Sequence, residues 1–104
     1  MSSFDERGDT LEAKFAHDQE LRFKMIAKRN FRLGIWAAGL LGKKDNDAEV
    51  YAQAVVKSDF EEPGEEDVVR KVTGDLANTE ITEANVRTKM DSLLTELLQE
   101  QEST

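Results

Sequence analysis

Residues 19–41 read QELRFKMIAKRNFRLGIWAAGLL and are followed by Gly42-Lys43-Lys44. Advancing about 100° per residue places Met25, Ile26, Leu33, Trp36, Ala37 and Leu40 on one broad apolar stripe, with Phe23 and Leu41 at its margins. No proline interrupts the run, and a glycine followed by two lysines is the composition of a helix stop. The stretch therefore reads as one long amphipathic helix, with Trp36 in its core. Phe31, Ile35 and Ala38 fall outside the stripe. A helix with apolar residues on a second face either runs through the middle of a bundle or offers a further contact surface, and packing within the protein is the simpler account.

A core-facing helix needs partners, and the chain supplies three. Asp45-Asn46-Asp47 offers N-cap oxygens and negative charge to a helix start. From there Ala48, Tyr51, Ala52 and Val55 recur at helical spacing to about Ser58, with Phe60 at or just past the end. Pro63 and Gly64 break the chain, and Glu65, Glu66 and Asp67 open a short helix that packs through Val68, Val69, Val72 and Leu76. These acids lack the alternating spacing and placed glycine of an EF-hand, and serve the helix dipole instead. After a polar turn over residues 77–81, Thr82 caps a last helix to about Glu100 with the stripe Val86, Met90, Leu93, Leu94, Leu97 and Leu98. No alternating β-branched run suggests a strand. The expected fold class is all-α: a compact four-helix bundle over residues 19–104, preceded by a mobile N-terminal segment, residues 1–18.

That segment reads differently. As a helix it would bring Phe4, Leu11 and Phe15 within about 40° of one another, flanked by Asp5, Glu6, Arg7, Asp9, Glu12 and Lys14. Three apolar residues are too few to hold a helix down, and Gly8 costs about 1 kcal/mol relative to alanine in a helix interior. The segment is expected to be frayed when the protein is alone and able to fold in a partner's groove; an ordinary disordered terminus is the plainer alternative.

At 104 residues, 38% hydrophobic and 35% charged, the chain suits one domain with one core. Without cysteine it has neither a disulfide framework nor a thiolate metal site. The Met-Ser-Ser-Phe-Asp-Glu start is unlike a secretion signal, and no run approaches the ~18 apolar residues of a membrane span, so a cytoplasmic protein without direct membrane insertion is expected. A net charge of -8 argues against nucleic acid as partner. The charge is uneven: residues 21–44 hold seven bases and no acid, residues 45–104 sixteen acids and five bases. The basic helix is expected to be solvated or neutralised by acidic helices beside it. The competing reading makes Arg22, Lys28, Arg29 and Arg32 weak phosphate contacts, or a contact for an acidic protein.

Catalytic chemistry is missing from the pattern. His17 is the sole histidine, there is no thiol, and the six glycines form neither a phosphate loop nor a dinucleotide fingerprint. The reading is a binding protein, not an enzyme, needing no cofactor and no metal.

The blocks Phe4-Asp5-Glu6-Arg7, Leu11-Glu12-Ala13-Lys14-Phe15-Ala16-His17-Asp18, Glu20-Leu21, Phe23-Lys24, Arg29-Asn30, Leu33-Gly34, Trp36-Ala37-Ala38 and Leu41-Gly42, continuing through Ser58-Asp59-Phe60, Glu62-Pro63-Gly64, Asp67-Val68 and Arg70-Lys71-Val72, closely resemble the zeta subunit family of alphaproteobacterial F-type ATP synthases. The resemblance covers essentially the whole chain and weakens after Leu76. Leu11 departs from it, since many relatives carry phenylalanine there, and so does Gly8.

The resemblance implies an inhibitor of ATP hydrolysis, peripheral to the membrane through the ATP synthase and a monomer when free. Its partners would be the alpha, beta and gamma subunits of the catalytic sector. The N-terminal segment would enter an alpha/beta catalytic interface near the gamma shaft, fold as a helix and jam rotation in the hydrolysis direction. Mapped here, Phe4, Leu11 and Phe15 would be apolar anchors, and Glu6, Arg7, Glu12 and Lys14 polar contacts. The alternatives are a small-ligand module holding a nucleotide phosphate, or a general interaction module with no role at the ATPase.

Overall fold

A computed structural model describes residues 19–59 and 64–103. Four helices make up the fold: α1 Gln19–Leu40, α2 Asp45–Ser58, α3 Glu66–Asp75 and α4 Glu83–Ser103, with no strand among the described residues. Residues 1–18, with the whole expected inhibitory segment, lie outside the described residues, as do Phe60 and Pro63.

Local chemistry sets each helix boundary. At the end of α1, Gly42 takes a left-handed φ of 81°, which lets Lys43 N donate to Ala38 O at 2.8 Å and Gly42 N to Gly39 O at 3.1 Å. These two bonds satisfy carbonyls that the helix leaves open. The start of α2 differs from expectation: Lys44 is its N-cap and no side chain caps it, while Asp45 and Asp47 lie inside the first turn. There they meet the positive end of the helix dipole as charges, because Lys44 O already takes the amides of Asp47 and Ala48. Before α3, Gly64 turns the chain with a φ of 84°. At α4 the expected cap is present: Asn85 N donates to Thr82 Oγ1 at 3.2 Å, and Thr82 N donates back to Asn85 Oδ1 at 2.9 Å. This reciprocal pair is a capping box with asparagine in the usual Glu/Gln place.

The stripes close on one core, in which Leu33, Ala37, Val55, Val68, Val69, Val72, Leu76, Val86, Met90 and Leu93 are buried together. Helix α1 is the hub, touching each of the other three, whereas α2 and α4 do not meet. This arrangement explains its second apolar face. Ala38 is fully buried, Phe31 is half-buried and Ile35 remains 38% exposed, so the face is partly packed and partly free. Three residues of the main stripe, Ile26, Trp36 and Leu40, are less enclosed than their wheel positions imply. Trp36 is half-buried at the edge of the core, with Lys89 Nζ 5.8 Å from its ring centroid. Leu40, the last residue of α1, is 43% exposed. A wheel angle fixes which way a side chain points, but not whether a neighbouring helix extends far enough to cover it.

Candidate partner-binding surfaces

The cations singled out on α1 do not form one cluster. Arg22 and Arg29 line an open cleft of about 420 Å³ with Phe23, Ile26, Asp59, Gly64 and Glu65. Lys28 and Arg32 line a different, larger groove of about 670 Å³ between α1 and α2, with Ala27, Phe31, Gln53, Val56 and Lys57. Arg22 and Arg29 share one row of α1 and Lys28 and Arg32 the neighbouring one, and the two rows open on different clefts, so a single phosphate does not reach all four.

Arg29 is committed to the fold. It is only 3% exposed. Its Nη1 donates to Glu65 Oε1 at 3.2 Å and its Nε to Asn30 Oδ1 at 3.1 Å. Asn30 is fully buried beside it. Asp67, also buried, accepts the amide of Val68 at 2.8 Å. The junction of α1, the end of α2 and the start of α3 thus packs three carboxyl groups, Asp59, Glu65 and Asp67, around one buried guanidinium. Burial, then the charge of Asp67, pushes the Asp59 carboxyl above its ordinary value against the pull of Arg29 and Asn30. Sequence reading missed this network because Arg29, Asn30 and Asp67 have polar side chains, which a search for apolar stripes leaves out. The one available signal was that Arg29 and Asn30 fall one turn before Leu33 and one turn after Met25, in line with the core face.

Arg32 is held differently. Its Nη1 and Nη2 donate to the two carboxylate oxygens of Glu100 at 3.0 and 3.1 Å, a two-pronged pair at the surface. That pairing raises the Arg32 pKa above its usual value and lowers that of Glu100. A basic α1 neutralised in part by an acidic helix beside it is therefore present, with α4 supplying the acid. Across the bundle, Arg87 makes a similar double contact to Glu66 at 2.8 and 3.1 Å and a third bond to Glu83.

Phe23 on the first turns of α1 is 55% exposed at the mouth of the smaller cleft, and Val50 on α2 is 57% exposed. Phe4, Glu6, Arg7, Leu11, Glu12, Lys14 and Phe15 lie outside the described residues. No group of three or more metal-ligating side chains occurs among the described residues. No described helix is long and apolar enough to cross a membrane.

Comparison with known proteins gives two findings. The model of the family described as ATPase inhibitor subunit zeta matches residues 1–100. A protein whose structure was determined by solution NMR is 44% identical, with a TM-score of 0.70 over 80% of this chain and 96% of that one. Nothing among curated proteins matches the chain.

Proposed function

The chain belongs to the ATPase inhibitor subunit zeta family, and from that premise we propose that it inhibits ATP hydrolysis by the F-type ATP synthase through residues 1–18. In this reading the segment enters an alpha/beta catalytic interface near the gamma shaft and folds there as a helix. Phe4, Leu11 and Phe15 bury their side chains against the partner, and Glu6, Arg7, Glu12 and Lys14 make the flanking polar contacts. A helix wedged at that interface opposes the closure and reopening that hydrolysis requires, and rotation stops.

The observation that carries the reading is the family match, which begins at residue 1 and so includes the whole segment. In this proposal the segment's apolar side chains are left for a partner, because three of them are too few to hold a helix down alone. Each anchor contributes roughly 1.5–3 kcal/mol if fully buried, against roughly 1–2 kcal/mol per residue for ordering the backbone. Three anchors do not offset that cost for a segment of this length. The bundle must therefore dock as well, raising the local concentration of the segment at its site.

A nucleotide-holding module fits less well, since Arg29 is tied to Glu65 inside the fold and the other three cations are shared between two clefts. The test is direct. Purified protein is added to an ATP synthase preparation stripped of endogenous inhibitor, and both hydrolysis and copurification with the complex are followed. Inhibition with stable association supports the reading; association without inhibition, or neither, contradicts it.

A further inference from the structure

Resting on that inhibitor reading, we propose that the groove between α1 and α2 is where the bundle docks on the ATPase, and that an acidic amphipathic helix of the complex fills it. The groove has an apolar floor of Ala27, Phe31 and Val56, and a cationic rim of Lys28, Arg32 and Lys57. No carboxylate is among the described residues that line it. That is a local inversion on a chain with 22 acids, 14 bases and a net charge of -8. Lys28 and Lys57 are exposed, while Glu100 holds Arg32 in place from the α4 side.

The apolar part extends beyond the groove along both helices. On α1, Phe31 and Ile35 belong to the second apolar face, one half-buried and the other 38% exposed. On α2, exposed Val50 stands in the same row as Gln53 and Lys57, at i, i+3 and i+7. A surface apolar along its floor, with Lys28 on the α1 rim beside the neutralised Arg32–Glu100 pair and Lys57 on the α2 rim, is complementary to a helix with an apolar ridge flanked by Asp and Glu. A second copy of this chain is a poorer occupant, because two bodies of net charge -8 repel as they approach. Nucleic acid would match the rim but leave the apolar floor uncovered.

The test uses the full chain with Lys28→Glu and Lys57→Glu together, compared with the parent and with a control, Lys43→Glu with Lys44→Glu. The control changes the net charge equally at exposed lysines in the α1–α2 turn. Circular dichroism melts establish that all three fold alike. The proposal expects the groove variant to need about tenfold or more protein for half-inhibition of ATP hydrolysis, still to inhibit fully at saturation, and to lose much of the parent's sensitivity to salt, while the control tracks the parent. If the groove variant also tracks the parent, the docking assignment falls and the inhibitor reading stands. Half-inhibition at a lower concentration than the parent would mean that the groove instead holds this chain's own acidic residues 1–18. A parent dimer that the groove variant dissolves would mean that it holds a second copy, and either result overturns the proposal. A parent that does not inhibit at all takes down both readings together.

Discussion

Gly34 on α1 lies against Ala52 on α2 with no room for a methyl group: a Cβ at Gly34 would stand 2.5 Å from the Ala52 Cα and 2.9 Å from its Cβ, with a Val55 methyl at 3.3 Å. The nearest atom is backbone, so relief requires the two helices to separate. Gly34→Ala is expected to destabilise by about 1–3 kcal/mol even though alanine is the better helix former by about 1 kcal/mol. Gly39→Ala, where nothing lies within 4 Å, is expected to be neutral or stabilising. Thermal melts of the two variants make the comparison, and a Gly34→Ala protein that melts at or above the parent would show that α1 and α2 are not in backbone contact there.

The buried and the exposed arginine pairs should respond very differently to truncation. Arg29→Ala removes the buried guanidinium that pairs with Glu65 beside Asp59 and is expected to cost about 2–4 kcal/mol, somewhat less than a fully enclosed pair because Glu65 is 43% exposed. Arg32→Ala breaks the surface pair with Glu100 and is expected to cost less than about 1 kcal/mol, a cost that fades with added salt. Urea unfolding in low and high salt measures both. Equal costs would contradict the placement of Arg29 inside the fold.

How far these features could be read from the sequence depends on what signal each leaves. The number of helices, their order and the Val68-Val69-Val72-Leu76 and Val86-Met90-Leu93-Leu97 faces follow from spacing alone, because an apolar stripe has only one way to leave water. The Thr82 cap was legible for a similar reason, as its chemistry is local. Coverage was not: Trp36 and Leu40 point along the core face, yet the ends and edges of neighbouring helices leave them partly exposed. The Arg29 network was illegible because polar side chains become buried only when distant partners arrive, here from 36 residues further along the chain. The groove was foreshadowed by the second apolar face of α1 at Phe31 and Ile35, but its cationic rim needs Lys57 from α2.

Asp59 makes stability depend on pH with a definite sign. Its carboxyl is held above the ordinary value in the folded protein, mainly by burial and by Asp67, so ionisation disfavours the fold. The contribution is fully present below the unfolded value, about 3.9, and is lost as pH rises through the folded one. Asp59→Asn should therefore melt a degree or more above the parent at pH 7, with the gap closing as pH falls below about 4. Melts at the two pH values check it, and a variant less stable than the parent at neutral pH would mean that attraction to Arg29 outweighs burial.

The central claim is that residues 1–18 inhibit and that the four helices fold and dock without them. Residues 19–104 alone should give the parent's helical circular dichroism per residue over the shared span and a cooperative melt, because the described core draws on residues from Met25 to Leu97. Added to inhibitor-depleted ATP synthase, this truncated protein should leave ATP hydrolysis unaffected at concentrations where the full chain suppresses it. Full-length Leu11→Ala with Phe15→Ala should likewise fold and fail to inhibit. Folded, inactive truncated protein is the predicted result; full inhibition by residues 19–104 would contradict the account, placing the inhibitory element in the bundle.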